Sequence, residues 1–293
     1  MAVQKPTMCV VAGPNGSGKM SVLQAIDNEV GSAIEEALLT LYEISQPNFC
    51  LLIARAGVNP IQENIEGVRY LMDNVWDVYH DETRQQFYLN YLNANYSKGV
   101  LNYTENDGLD KLYIEMMIYS HLWDSQRFLK DIYRISTMIA GKPYDWELDL
   151  EDGLSYKKMK DEIITPLKAK GLKLGEIIDS CYSSHIRNSF AHSLFDIDIQ
   201  SREIHLRSKH IKSYEDSRLT FEAFQDKFLH SIFLCYCLTN IIDINRLKFA
   251  KANKAITDVF EAPNGKKMQL FGKVMESKGK FYPHFHGTFI VEE

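Results

Sequence analysis

The sequence lacks a cysteine framework. Its five cysteines, Cys9, Cys50, Cys181, Cys235 and Cys237, form no CxxC pair and no even set, which argues against a disulfide-stapled secreted domain and for reduced thiols in a core. A long apolar run is also missing. The longest stretch without a charged side chain towards the end of the chain, Phe228–Ile242, is 15 residues and includes His230, Ser231, Thr239 and Asn240. That is too short and too polar for a membrane span. No signal-peptide pattern is legible, so the expected location is cytoplasmic, without a membrane. Repeats and low-complexity segments are absent, and so is an excess of positive charge: the net charge is −6.

What is present is ordinary globular material, 293 residues with 45% hydrophobic and 25% charged side chains, enough to bury a sizeable core in one or two domains. The charge is unevenly placed. Residues 246–280 hold nine Lys/Arg against Asp258, Glu261 and Glu276, a net of +6 that leaves −12 on the rest. A basic end on an acidic body can guide a phosphate backbone to one face. Lys266, Lys267, Lys273, Lys278 and Lys280 are the expected phosphate contacts there.

The first 19 residues do not match the remainder of the chain. Thr7–Ala12 is strand-like, and Gly13-Pro14-Asn15-Gly16-Ser17-Gly18-Lys19 fits GxxxxGK, in which backbone amides and the lysine cradle phosphates. It resembles the start of P-loop ATPases and kinases. Met20 stands where the Mg²⁺-holding Ser or Thr belongs, and the next hundred residues hold no Walker B strand or strand–helix alternation. Gly13, Gly18 and Lys19 are thus a weak nucleotide site. Residues 1–19 read as a leader or fusion segment outside the fold, and no cofactor is expected.

From Met20 the pattern is helical. Val22, Ile26, Val30, Ile34, Leu38 and Leu41 form one stripe, with Gly31 as a flaw. Phe49–Ile53 is apolar but ambiguous. Pro60 opens a stripe of Ile61, Ile65, Val68, Met72, Val75 and Tyr79, and residues 83–95 give a shorter aromatic-rich helix. Leu109–Ile139 reads as one long helix. Residues 141–155 read as a solvated acidic connection, and Lys157–Lys170 as a charged helix interrupted near Pro166. Thr220 caps a helix to about Leu247 that is apolar almost all round. The last forty residues carry β-formers and turns, a small three-stranded cap. The organisation expected is a mainly α domain over 20–250 and a β-rich cap over 251–293.

Residues 171–208 carry the chemistry. Leu174, Ile177, Ile178, Cys181, Tyr182, Ile186 and Phe190 recur at three- and four-residue steps, an amphipathic helix ending in Arg187-Asn188-Ser189-Phe190-Ala191-His192. Alternation in Phe195–Ile199 and in Ile204–Leu206 then makes a β-hairpin. IRNSFAH in this setting resembles the Arg-x4-6-His motif of HEPN-domain proteins, small helical domains that include metal-independent endoribonucleases of toxin–antitoxin and defence systems. The resemblance implies a HEPN-like helical bundle. It implies Arg187 and His192 as the catalytic pair with Asn188 beside them, RNA as substrate, a homodimer built through the box, and an antitoxin or regulatory partner.

Such chemistry is self-consistent. RNA supplies its own 2′-OH nucleophile, His is the side chain suited to acid–base work near neutrality, and an Arg fork grips the non-bridging oxygens. No metal is required. Residues five apart on a continuous helix lie about 140° apart, so Arg187 and His192 share a site only if the helix ends near Ala191 or two copies face each other. His284 and His286 on one strand face would give two metal ligands without a third, or rings that stack bases beside lysines. His185 and His205 are candidates to tune His192. The rival readings are a non-catalytic dimeric module and an NTP-binding P-loop protein.

Overall fold

The computed structural model describes residues 22–58, 70–71, 75–96, 103, 108–148, 150, 154–207, 211, 217–252, 260–261, 265, 267–277 and 280–289. The P-loop-like residues Gly13, Gly18 and Lys19 lie outside them, as do Lys266 and Lys278. The chain is mainly helical with small antiparallel sheets.

Helix α1 (Val22–Ile44) buries Leu23, Ile26, Val30, Ile34, Leu38 and Leu41. The expected stripe holds except at Val22, which is exposed. The ambiguous run is helix α2 (Gln46–Ala54), capped by Ser45, whose Oγ accepts from Asn48 N at 3.3 Å, with Pro47 in its first turn. It ends in left-handed Arg55, whose Nη2 donates to Asp243 Oδ1 at 2.6 Å. That turn directs the chain into β1 (Gly57–Val58), paired antiparallel with β2 (Tyr70–Leu71). The helix expected from Pro60 to Tyr79 is therefore corrected at its far end: Tyr70 and Leu71 are extended, and Val75 begins helix α3 (Val75–Tyr96).

The single helix expected over Leu109–Ile139 is two, α4 (Gly108–Leu122) and α5 (Gln126–Ile139). The corner between them is held from outside. Trp123, fully buried, donates from Nε1 to Ser231 Oγ at 3.0 Å, and Arg84 Nη1 donates to Ser125 Oγ at 2.7 Å. The acidic connection is also more than solvated chain. Tyr144, Trp146, Leu148 and Leu150 are buried in alternation, and Tyr144 Oη donates to Ala56 O at 2.7 Å.

Helix α6 (Tyr156–Met159) leads through a π turn at Lys160–Ile164 into α7 (Thr165–Ala169). Pro166 explains the π turn, because it has no N–H for the Glu162 carbonyl four residues back. Ser136 Oγ of α5 fills the gap, contacting Glu162 O at 2.9 Å and Ile163 O at 3.0 Å. The amphipathic helix expected over 171–190 is likewise split, into α8 (Lys173–Cys181) and α9 (Ser184–Ala191).

The hairpin stands as expected, β3 (Phe195–Asp198) against β4 (Glu203–Leu206), and gains a third strand, β5 (Arg218–Thr220). Thr220 Oγ1 accepts from Ala223 N at 3.1 Å and caps helix α10 (Phe221–Ala252). By length and composition Phe221–Lys251 could cross a membrane, but 61% of its most apolar window is buried inside the protein. It packs on α1, α2, α4, α5 and α8. Strands β6 (Phe260–Glu261), β7 (Lys267–Ser277) and β8 (Lys280–Phe289) form an antiparallel sheet with β7 central. Met268, Leu270 and Phe285 of that sheet join the same core as the helices, with Arg246 of α10 lying 5.1 Å over the Phe285 ring.

Candidate functional site

The box sits on α9, and three buried side chains set where α9 lies. Tyr119 Oη donates to Cys181 O at 2.8 Å and accepts from Ser183 N at 2.7 Å, bridging the break between α8 and α9. Trp123 packs against Tyr182 with ring centroids 5.0 Å apart. Ser183 caps α9, its Oγ accepting from Ile186 N at 3.4 Å. A cap of this kind contributes about 1 kcal/mol, useful to a helix of only eight residues.

The other end of α9 is a Schellman turn. Leu194 N donates to Ser189 O at 2.7 Å and Ser193 N to Phe190 O at 3.0 Å, with Ser193 in the left-handed region at φ 53°. A serine there costs about 1–2 kcal/mol relative to right-handed backbone. Helical conformation therefore stops at Ala191, and His192 is the C-cap at φ −104°, ψ 8°.

Arg187 and His192 make different contacts within one chain. Arg187 is half-buried, with Nη1 3.3 Å from Asp124 Oδ1 at the α4–α5 corner. That nitrogen is buried and makes no hydrogen bond within the described residues. His192 is exposed on another side of α9, and among the described residues no hydrogen bond or ion pair joins the two. Asn188 is half-buried, its carbonyl accepting from His192 N at 3.1 Å. His205 turns to Glu203, Nε2 to Oε2 at 3.2 Å.

Two features around the box are not legible in the sequence. First, Ser120 Oγ, His185 Nδ1 and Ser189 Oγ are buried without hydrogen-bond partners among the described residues. They belong to α4 and α9, which pack together. Second, the outer face of α4 exposes apolar groups: Tyr113 is 48% exposed, Ile114 39% and Met117 38%. Tyr113 leans on Phe195, centroids 5.5 Å apart, and Phe195 stacks on Phe190 of α9 at 5.8 Å. Exposed positions 113, 114, 117, 121 and 124 follow helical spacing and end at the Asp124 that pairs with Arg187.

Elsewhere one buried acid is bonded within the fold. Glu115 is fully buried and accepts from Tyr91 Oη at 3.1 Å, Tyr96 Oη at 2.8 Å and Tyr103 Oη. Burial pushes its carboxyl up to about 7, against the lowering effect of the three hydroxyls and of Lys111. Between α1 and α10, a cavity of about 40 Å³ is lined by Asp27, Gly31, Glu35 and Cys237 among others. Cys237 Sγ contacts Asp27 Oδ1 at 3.2 Å there, and burial raises both groups. Among the described residues no three His, Cys, Asp or Glu gather as metal ligands.

No family model, curated protein or solved structure matches the chain.

Proposed function

We propose that this chain is a metal-independent endoribonuclease of HEPN type, acting as a toxin or defence effector. Its site is completed by a second copy across a two-fold axis. The observation that carries the reading is the exposed apolar stripe of Tyr113, Ile114 and Met117 beside the box. Contiguous exposed apolar surface of this kind marks an association face. A two-fold contact is isologous, so each copy presents the same patch and the same box. One chain's Arg187 then reaches the neighbour's His192. His192 acts as acid or base, Arg187 holds the phosphate, and Asn188 orients one of them. The unpartnered Ser120, His185 and Ser189 atoms beside the box are buried groups that an internal water would satisfy.

Cleavage of RNA in EDTA, followed by gel and by end-group analysis, is the test. His192→Ala should cost about 10²–10⁴-fold, and products should carry 2′,3′-cyclic phosphate. Arg187→Ala and His192→Ala chains mixed in one dimer should recover activity that neither homodimer has. Full activity of the His192→Ala homodimer sinks the proposal. The Arg187–Asp124 pair favours one rival, a non-catalytic dimeric module in which Arg187 is structural. In that case Arg187→Ala lowers the melting temperature and no cleavage is seen in any variant.

A further inference from the structure

The inward face of the C-terminal ribbon is accounted for by the core. Its outward face is not. In an antiparallel pair, alternate residues share a face. Met268, Leu270 and Phe285 point to α10 and are buried, whereas Phe271, Lys273, Met275, His284 and His286 belong to the opposite set. Phe271 is paired across the strands with His286, their rings 5.5 Å apart and 18° from parallel. His286 is followed by His284 at 6.2 Å and 21°. Three flat rings thus stand in file. Lys273, directly opposite His284 in the register, is exposed beside them, as is Lys267 further along the strand. Met275 is 45% exposed at the end of the row. Along β7 and β8 no carboxylate belongs to this set among the described residues, and on β6 the register sets Glu261 opposite Lys267. Burial, with Lys273 and His284 nearby, lowers the His286 imidazolium, favouring a neutral ring.

We propose that this face is a docking platform for single-stranded RNA, bases stacking on the Phe271–His286–His284 file while Lys273 meets the phosphates. A π-face accepts any base, and flanking cations track the backbone, the combination used by sequence-tolerant single-strand readers. Duplex RNA hides its bases and offers such a platform only phosphates. The choice of RNA over DNA rests on the ribonuclease reading of the α9 box; the stacking does not.

The ribbon also lies at a useful distance. It grips α10 near Arg246, whereas the corner beneath the box grips it near Ser231. At 1.5 Å per residue the two stations are on the order of 20 Å apart along the helix. A strand held on the ribbon could reach the box across several nucleotides, so the platform would set substrate length rather than perform chemistry.

The full chain is titrated with a fluorescein-labelled oligouridylate of about twelve nucleotides. Its sugars are 2′-O-methylated, so that binding is read without cleavage, and anisotropy is followed at several salt concentrations. Phe271→Ala and His286→Ala should each weaken binding about tenfold with the salt slope unchanged. Lys273→Ala should flatten the slope by about 0.7. His192→Ala should bind as the wild type does, which separates this platform from the box: loss of cleavage there leaves it standing. Melting temperatures identify a ring variant that has merely loosened the ribbon, and Lys273→Glu, at an exposed position, then decides alone. Three outcomes overturn the proposal: no binding by the wild type, equal binding by the ring and lysine variants, or duplex RNA binding as tightly as single strands. Stronger capture by vesicles containing phosphatidylserine, lost in Lys273→Glu, would instead make the face a membrane contact.

Discussion

Helix α4 has two faces built on opposite principles. The inner face carries Glu115 into full burial and bonds it to three tyrosine hydroxyls, with Gln225 of α10 reaching the Tyr96 hydroxyl at 3.4 Å. The outer face leaves Tyr113, Ile114 and Met117 in solvent, and between α4 and α9 buried polar atoms lack hydrogen-bond partners among the described residues. A polar network that is satisfied rigidifies a core, and one that is unsatisfied costs stability unless something else completes it. The fold is therefore held from the inner face, while the outer face takes no part in that network and is the surface proposed for association. The two can be perturbed separately.

The largest effect on folding should come from Glu115→Ala. It removes the acceptor of the buried Tyr96 and Tyr103 hydroxyls and of the half-buried Tyr91, and it leaves a cavity. Each buried group left unpaired costs roughly 1–3 kcal/mol. Chemical denaturation should show a loss of roughly 3 kcal/mol or more; a change under 1 kcal/mol would mean that the cluster relaxes to water. Gly108 belongs to the same device, because a Cβ there would lie 2.6 Å from the Tyr103 backbone. Gly108→Ala should displace Tyr103 and reproduce part of the loss.

The same carboxyl gives a pH signature. Its folded value, about 7, lies above the unfolded 4.5. Between those values the folded state binds more protons, so the stability contributed by this group falls as pH rises through that window and is level on either side. At about 1.4 kcal/mol per unit the fall totals roughly 3 kcal/mol. Unfolding free energies measured from pH 4.5 to 7.5 should show it in the wild type and lack it in Glu115→Gln. An identical pH profile in both would remove Glu115 as the source.

Much of this architecture was legible in periodicity: the α1 stripe, the hairpin, the capped and nearly all-apolar α10, and the C-terminal ribbon. The helix breaks were not, because their causes are distant. The Tyr119 hydroxyl sets the α8–α9 break, and Trp123, bonded to Ser231, sets the α4–α5 corner. Neither break contains Gly or Pro. The start of α2 did have a local signal, Ser45 before Pro47, which the apolar run behind it masked. Glu115 could have been noticed as an acid at helical spacing among Leu112, Met116 and Tyr119. Arg187 and His192 were legible as residue types, and the helix end at Ala191 was anticipated. That Arg187 turns to Asp124 depends on the corner and could not be read.

A smaller effect tests the seam. Ser136→Ala removes the hydroxyl that contacts the Glu162 carbonyl bared by Pro166 and the neighbouring Ile163 carbonyl. Its loss should cost about 1–2 kcal/mol, without touching cleavage or association. Ser193→Gly should act in the opposite sense, relieving the left-handed serine after His192 by up to about 1 kcal/mol. If Ser193→Gly lowers the melting temperature instead, the turn is held by contacts of the serine side chain rather than by its backbone.

The smallest effect on folding should give the clearest reading of the outer face. Ile114→Lys and Met117→Lys place charge on positions that are 39% and 38% exposed and lie outside the buried core cluster. Surface substitutions of this kind usually stay within about 0.5 kcal/mol, so denaturation midpoints should barely move. Self-association, measured by sedimentation across a range of concentrations, should be lost, because an isologous contact meets each new charge twice, once from each copy. Cleavage should fall with it if the site needs the second chain, even though Arg187, Asn188 and His192 are untouched. An active monomer would contradict the shared site while leaving the box in place. A dimer that persists would put the association face elsewhere and leave the exposed stripe of α4 to a different partner.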